Sequence, residues 1–364
     1  TNCTRSTPTT SMPATQFDIT PEERASPSAF IKRQLFGGAP VTLRANVNLQ
    51  GQTAVVTGSN TGIGLECARQ FLDLGLSRLV IAVRNVPSGE TARKLLLEGR
   101  SPSEHQIDVW KLDLSHYDSI QSFVKQCETL DRLDIFVHNA GVSKGKFELN
   151  PVTGHEESVQ TNHLSSALLS ILVLPVIKER NPSDRPGKLV IVSSETASWS
   201  KFKEREMTPL LPTFDKPETF NQGEYGTRYW TSKLLGQFFV TELVKHVPPS
   251  TVVINMCNPG MCYGSSLMRD FAGTFSGVMI GIFFRVFGYS PSKGARSLTD
   301  AACNHGPESH GIYIEGGKLQ PMAPLIYSSQ ETQTMEKVWT ETLEELKFAG
   351  VHDIIKRLGN TLGG

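Results

Sequence analysis

Short apolar runs alternate along the chain with longer segments in which apolar residues recur at helical spacing. The short runs predict strands at residues 53–57, 79–83, 107–111, 135–138, 188–193, 252–257 and 312–314. The longer segments predict helices at 63–74, 87–97, 116–130, 153–178 and 225–246. This alternation is typical of a parallel sheet with helices on both faces. We therefore expect a single doubly wound α/β domain with strand order 3-2-1-4-5-6-7.

Three regions differ in composition. Residues 1–48 are predicted to be an N-terminal extension, partly disordered, because the first 28 form a mobile leader rich in Thr, Ser and Pro. Met12 could be the natural start, and the amphipathic stretch 28–36 could dock on the core. The main domain is predicted at 49–330, followed by a C-terminal helical tail at 331–364.

Two connections are longer than the others. They cover residues 195–224, which contain three prolines, and residues 262–290. They follow the fifth and sixth strands, and open α/β sheets bind their ligands beyond the carboxyl ends of the strands. We therefore expect both connections to form walls of a binding site.

The charge balance and the cysteine content limit the classes of ligand and the cellular compartment that we expect for this protein. The 364 residues carry 36 basic and 36 acidic side chains, so the chain has no net charge that would favour the binding of nucleic acid. Six scattered cysteines without a Cys-x-x-Cys pair argue against a disulfide framework and against a metal site. No apolar signal core opens the chain, and we expect reduced thiols in a cytoplasmic protein.

One apolar stretch, residues 271–287, approaches the character of a membrane segment. It is interrupted by Arg285 and flanked by polar residues. We favour a buried or substrate-facing helix here, with an interfacial membrane anchor as the alternative, and we expect no integral membrane segment.

A glycine-rich loop joins the first strand to the first helix of the main domain. It reads Thr57-Gly-Ser-Asn-Thr-Gly-Ile-Gly64, with glycines at 58, 62 and 64. A strand, a glycine loop and a helix start build an anion cradle, because free N–H groups and the positive end of the helix dipole point at a diphosphate. A tight turn without a ligand is the alternative.

A second motif places a phenol beside an ammonium group. Tyr229 and Lys233 are four residues apart on a predicted helix and therefore share one face. A neighbouring cation, together with the positive ring of an oxidised nicotinamide, would lower the pKa of the phenol from about 10 and suit it to proton exchange. A solvated helix face is the alternative. Upstream, the fifth strand ends in Ser193 and Ser194, where a carbonyl oxygen would lie.

These stretches together resemble the short-chain dehydrogenase/reductase family, in its retinol-dehydrogenase/WW-domain-oxidoreductase-like branch and in a fungal form, over about residues 49–319. The resemblance implies a Rossmann-type fold with Tyr229 as catalytic acid/base and Lys233 lowering its pKa. It implies that Ser194 holds the substrate oxygen. Ser193, on the opposite face of the strand, is the second choice. Asn162 would order a water chain leading to the lysine.

The resemblance also implies a nicotinamide cofactor site. It would place Asp113 at the adenine amino group, Asn139 at the adenine ribose and the Pro259-Gly260 turn at the nicotinamide amide. The predicted contacts are Gly58, Asn60, Thr61, Gly62, Ile63, Gly64, Arg84, Asp113, Leu114, Asn139, Ala140, Gly141, Tyr229, Lys233, Pro259 and Gly260. Helix caps, buried polar residues and turn formers are the structural alternatives for Asp113, Asn162 and Asn139.

Two positions bear on the details of cofactor binding. The second strand ends in Arg84 with no acid beside it, and an arginine there accepts a 2′-phosphate, so NADP(H) is favoured over NAD(H). An arginine that merely caps the strand at the surface is the alternative. A threonine usual in the family after Pro259-Gly260 is replaced by Gly264, and Ser265 could substitute for it.

The predicted function is NADPH-dependent reduction of a ketone or aldehyde, or the reverse oxidation, on a bulky apolar small molecule such as a secondary-metabolite intermediate. One alternative keeps the cofactor pocket for cyclisation, dehydration or epimerisation. Another is a non-catalytic binding module, although Ser194, Tyr229 and Lys233 are all present. The family implies a homodimer or tetramer.

Overall fold

The computed structural model describes residues 17–101, 103–181, 185–220, 226–264 and 275–359. Within them, eight strands form one sheet in the order 3-2-1-4-5-6-7-8. The strands are β1 Thr53–Thr57, β2 Arg78–Val83, β3 Gln106–Lys111, β4 Ile135–His138, β5 Gly187–Val192, β6 Val252–Cys257, β7 Tyr313–Glu315 and β8 Lys318–Gln320. The first seven pair in parallel, which confirms the predicted α/β sheet and strand order.

The antiparallel edge strand β8 was not predicted. It pairs with β7 through a two-residue hairpin in which Gly316 and Gly317 have φ of 62° and 76°. Positive φ at both positions is what a tight hairpin turn requires. A strand of three residues is too short to show a period of two, so the pattern of the chain does not reveal it.

Two helical layers cover the sheet. The helices are α1 Pro21–Ala25, α2 Pro27–Phe36, α3 Gly62–Asp73, α4 Val86–Leu97, α5 Tyr117–Cys127, α6 Glu157–Glu179, α7 Thr227–Leu243, α8 Phe275–Phe287, α9 Pro291–Cys303, α10 Thr332–Glu345 and α11 Val351–Gly359. Successive side chains of β1 point to opposite faces of the sheet and therefore enter two separate parts of the core. Val55 packs with α5, α6 and α7 on one face, whereas Ala54 and Val56 pack with α3 and α9 on the other.

Helix boundaries differ from the prediction where side chains form local turns. We predicted a helix from residue 153, but α6 begins at Glu157. Asn150 Oδ1 accepts the N–H groups of Val152 and Thr153, and Gly154 has a φ of 80°, so this stretch forms a turn instead. The predicted start of α7 at Tyr225 lies outside the described residues.

Among the described helices, α6 alone is long and apolar enough to cross a membrane. Its most apolar window has a mean hydropathy of 1.3, but 83% of that window is buried inside the fold. Burial against the sheet explains the apolar composition, because a helix enclosed by protein needs no polar face. This observation supports a core helix.

The described part of the long connection after β5 is packed rather than loose. Leu210, Leu211 and Phe214 are buried against Phe238 of α7 and Val338 of α10. Short 3-10 turns carry the chain through this region. The C-terminal helices therefore support the predicted wall, which explains why the tail after residue 331 is part of the core.

The C-terminal tail is also joined to the wall by a charged contact. His155 Nδ1 lies 2.9 Å from Asp215 Oδ2 and its Nε2 lies 3.1 Å from Glu345 Oε1. Burial opposes protonation, but the hydrogen bonds to both carboxylates outweigh it and raise the pKa of His155 to about 9. The imidazolium therefore links the connection after β5 to α10 at neutral pH.

We expect this contact to make stability depend on pH. Because the folded pKa of His155 exceeds its unfolded value of about 6.5, the contribution is complete below pH 6.5 and disappears as pH rises towards 9. Solvent screening limits it to about 1 kcal/mol. Urea unfolding should therefore show a difference in free energy of unfolding between wild type and His155→Gln, and this difference should shrink from pH 6.5 to pH 9. A difference that does not change with pH would contradict the assignment.

Candidate active site

The glycine loop wraps closely around the start of α3. Gly62 has a φ of 60°, which a side chain would strain, and a Cβ on Gly64 would lie 2.6 Å from Asn139 Nδ2. Asn139 Nδ2 donates to the carbonyl oxygens of Thr57 and Gly58, at 2.9 and 3.3 Å. The loop is thus tied to the end of β4, and its backbone is free to approach a ligand at the positive end of α3.

A cavity of about 690 Å³ opens beside this loop at the carboxyl edge of the sheet. It brings together nearly all the residues predicted from the sequence. Its lining includes Gly58, Asn60, Thr61, Gly62, Ile63, Gly64, Arg84, Asp113, Leu114, Asn139, Ala140, Gly141, Ser194, Tyr229, Lys233, Pro259 and Gly260. The predicted cofactor residues and three of the four predicted catalytic residues therefore share one space.

Arg84 lies at the end of β2 with its side chain exposed beside the cavity. It makes no ion pair with any of the described residues. Nearby, Asn60 Nδ2 donates to Ser88 Oγ at 3.0 Å, and Asn85 caps α4 by accepting the Ser88 N–H. An arginine without a carboxylate partner, beside a helix start, suits a phosphate group.

Asp113 both lines the cavity and shapes its own turn. Its Oδ1 accepts the N–H of Ser115 at 3.1 Å, and its N–H donates to Ser119 Oγ. These bonds form a turn before α5 and not the helix cap weighed from the sequence, because the N-cap of α5 is His116. Asp113 also lines the cavity, and its contact with an adenine stays a prediction.

Ser194 and Tyr229 both line the cavity, and Ser194 favours a lower pKa of the phenol. Ser194 Oγ also accepts the Thr196 N–H at 3.3 Å and lies 2.9 Å from Thr196 Oγ1. Ser193 reaches the same cavity but is buried, and its Oγ accepts from Gln237 Nε2 at 3.2 Å. Lys233 Nζ donates to the Val192 carbonyl at 3.0 Å and lies 5.8 Å from the Tyr229 ring centroid.

Burial sets the protonation of this pair. It raises the pKa of Tyr229 to about 12, against the opposing effect of Ser194, and it lowers the pKa of Lys233 to about 8. Lys233 is not among the causes of the shift at Tyr229, and the lowering of the tyrosine pKa expected from the lysine together with the nicotinamide ring stays a prediction. A protonated phenol at neutral pH is nevertheless the form that donates a proton to a carbonyl oxygen.

Asn162 lies in a π-helical turn of α6, Gln160–Leu164, and not on the main cavity. Its Oδ1 accepts the Val142 N–H at 2.9 Å, and its Nδ2 donates to the Val142 carbonyl and to Ser232 Oγ. A small cavity of about 20 Å³ lies between Asn162 and Lys233, which is room for one water molecule. π-turns of this kind are frequent at functional sites.

The Pro259-Gly260 turn lines the cavity and is held by the N-terminal segment. Gln34 of α2 accepts the Met261 N–H and donates to the Met261 carbonyl. Ser265, the suggested substitute for the missing threonine, lies outside the described residues. Burial raises the pKa of the thiols of Cys257 and Cys262, which fits the expected role of both as small core residues.

The N-terminal segment contributes more to the site than the sequence indicated. The prediction of a mobile leader does not hold for residues 20–28, because α1 is helical and Arg24 is fully buried. Arg24 and Arg33 pair with Glu315, and Arg33 also pairs with Glu195, the residue after Ser194. The signal available in the sequence was the amphipathic stretch 28–36, which does dock on the core as predicted.

Aromatic side chains form the outer wall of the cavity. Phe30 of α2, Trp199 and Trp230 line it together with Phe283 and Phe284 of α8. The last two support the interpretation of residues 271–287 as a substrate-facing helix. Other apolar side chains of α8 are exposed. The described part of α8 is therefore not a buried helix, which the sequence analysis gave as the other possibility for this stretch.

Comparisons with known proteins agree with this geometry. Residues 52–203 match the family model described as short chain dehydrogenase. The short-chain dehydrogenase fogG of Aspergillus ruber is 46% identical over 347 residues, which cover 95% of this chain and 99% of fogG. The short chain dehydrogenase/reductase mfmJ of Annulohypoxylon moriforme is 41% identical over 333 residues, which cover 91% and 95%. Among solved structures, the RhlG/NADP active-site complex of Pseudomonas aeruginosa shares the fold, with a TM-score of 0.54, 23% identity, and coverage of 75% of this chain and 98% of that one. The chain therefore belongs to the short-chain dehydrogenase/reductase family and is an oxidoreductase.

Proposed function

We propose that the protein is an NADPH-dependent reductase of ketones or aldehydes, catalysing the reverse oxidation as well. One observation carries the proposal. Ser194, Tyr229 and Lys233 converge on a cavity whose opposite end is lined by the glycine loop and Arg84. A cofactor bound along the loop would share this space with the substrate. The complex of RhlG with NADP supports a phosphorylated cofactor in this fold.

The chain offers a complete set of contacts for such a cofactor. The N–H groups at the start of α3 would hold the diphosphate, Arg84 the 2′-phosphate and Asp113 the adenine. A Cβ on Gly64 would lie 2.6 Å from Asn139 Nδ2, so a glycine is needed for this close approach of the loop to the end of β4. When bound, the reduced nicotinamide supplies a hydride to the carbonyl carbon.

The protein side of the reaction follows from the inner residues. Tyr229 would donate its Oη proton to the carbonyl oxygen, and Ser194 Oγ would hold that oxygen by a second hydrogen bond. Lys233 would stabilise the resulting phenolate by its charge. A water in the cavity between Asn162 and Lys233 would pass a proton back. The product is an alcohol, with the proton and the hydride both accounted for.

Replacing Arg84 by alanine should weaken NADPH binding and leave NADH binding nearly unchanged. A charged hydrogen bond contributes about 1.5–3 kcal/mol, so the Kd for NADPH should rise about tenfold to a hundredfold. Titration of both cofactors by fluorescence measures this effect. Arg93→Ala is a matched control, because Arg93 lies on α4 away from the cavity and pairs with Glu90. Equal losses for the two cofactors would refute the role assigned to the 2′-phosphate.

The apolar cavity favours a bulky apolar substrate. We propose that this substrate is an intermediate of secondary metabolism. The decisive experiment is a panel of apolar ketones and aldehydes incubated with the purified protein and NADPH, with products identified by mass. We expect NADPH consumption matched by formation of an alcohol. Tight NADPH binding with product formation but no net consumption would instead support cyclisation, dehydration or epimerisation. Binding without any product would support a non-catalytic module.

A further inference from the structure

We propose that the N-terminal segment, the connection after β5 and the start of α7 together build an aromatic subsite, which binds an aromatic group of the substrate. Its walls are Phe30, Trp199 and Trp230. This inference rests on the proposed reductase function and names the substrate class for the same cavity. It adds a substrate-binding role for α2.

The three rings form a continuous series. The Phe30 and Trp199 centroids are 5.1 Å apart at an interplanar angle of 89°, and those of Trp199 and Trp230 are 5.8 Å apart at 79°. Trp230 directly follows Tyr229 on α7, and Trp199 lies five residues after Ser194. Tyr229, Ser194 and all three rings line the same cavity, so a group attached to the carbonyl can reach the series.

Partial exposure distinguishes these rings from ordinary core aromatics. Phe202, Phe214 and Phe238 in the adjacent cluster are at most 1% exposed, whereas Phe30, Trp199 and Trp230 are all only partly buried while lining the cavity. The uncovered parts of these rings are apolar area that a ligand can cover, and an aromatic group can pack on them offset or edge to face.

The segment that carries Phe30 is held in place on both sides. Trp199 Nε1 donates to the Ala25 carbonyl at 3.1 Å, and Gln34 binds the backbone of Met261. Arg33 pairs with Glu195 at the edge of the cavity. Phe30 is therefore preorganised, so little conformational entropy is lost when a ligand binds against it.

Charge favours a neutral aromatic group over an organic cation, which aromatic rings can also bind. Glu195 is a carboxylate that lines the cavity, and it is already paired with Arg33. Arg24 and Arg33 are paired with Glu195 and Glu315, so this cluster has no net negative charge that would attract a cation. A quaternary ammonium ligand would gain no attraction from it, and an uncharged ring needs none.

The test uses two ketones of the same bicyclic shape, 2-tetralone with one aromatic ring and trans-2-decalone with none. Phe30→Leu keeps an apolar side chain but removes the ring. We expect KM for 2-tetralone to rise about threefold to tenfold with kcat little changed, and KM for trans-2-decalone to stay within about twofold. Phe36→Leu is the matched control, because Phe36 lies on the same helix, is 84% exposed and does not line the cavity. An equal rise for both ketones would overturn the inference.

A binding measurement separates this inference from the proposed reaction. Equilibrium dialysis with 2-naphthol and trans-2-decalol compares aromatic and saturated ligands without turnover. We expect tighter binding of 2-naphthol to wild type and loss of that preference in Phe30→Leu. Equal dissociation constants in wild type, or a preference for benzyltrimethylammonium, would overturn the aromatic subsite even if ketones are reduced. Intact aromatic preference without any reduction would reject the reductase function and retain the subsite.

Discussion

Replacing Tyr229 by phenylalanine is expected to lower kcat/KM for carbonyl reduction by about two to four orders of magnitude. The substitution removes the only atom of this side chain that can donate a proton and leaves the half-buried ring in place. NADPH binding should change little, because the residues proposed to hold the diphosphate and the adenosine lie on other elements. Steady-state kinetics and cofactor titration on the same preparation measure both effects.

A second tyrosine provides the control for this experiment. Tyr117 lies at the start of α5, packs against Phe348 at a centroid distance of 5.1 Å, and does not line the cavity. Tyr117→Phe should therefore keep the full rate. If Tyr229→Phe also reduces the carbonyl at the wild-type rate, Tyr229 is not the proton donor and the proposed mechanism fails.

Replacing Arg24 by methionine should destabilise the protein by about 3–5 kcal/mol. Arg24 is fully buried, and its Nε and Nη2 donate to Glu315 Oε2 at 3.2 and 3.1 Å. Its guanidinium also lies 4.3 Å above the Tyr313 ring centroid. Methionine fills a similar volume but leaves carboxylates without part of their compensating charge. The free energy of unfolding in urea measures the loss.

Matched measurements distinguish this ion pair from general disturbance of the segment. Lys32→Met changes an exposed residue of α2 and should alter the free energy of unfolding by less than about 0.5 kcal/mol. Burial and the neighbouring Glu315 raise the pKa of Glu195 to about 7, so this carboxylate is protonated more readily in acid. The cost of Arg24→Met should consequently be larger at pH 8 than at pH 5.5. A cost independent of pH would point to lost packing instead.

Much of the fold could be predicted because the signals are local. Buried parallel strands need apolar runs, and their alternation with helices leaves few topologies. The glycines of the loop and the four-residue spacing of Tyr229 and Lys233 reflect requirements within single elements. The short strand β8 and the start of α6 escaped prediction, because a three-residue strand and an Asn150-centred turn carry too little pattern.

The sequence by itself determined the alternating strands and helices, the glycine loop and the pair of Tyr229 and Lys233, since each depends on residues near one another in the chain. Only the tertiary structure decided that Phe30 meets Trp199 and that Arg33 meets Glu195, 162 positions away. No pattern in the neighbouring sequence indicates such partners, because they come into contact only when folding brings the carboxyl ends of the strands to one edge of the sheet. For the same reason, the sequence suggested that residues 28–36 could dock on the core but not that Phe30 would line the cavity.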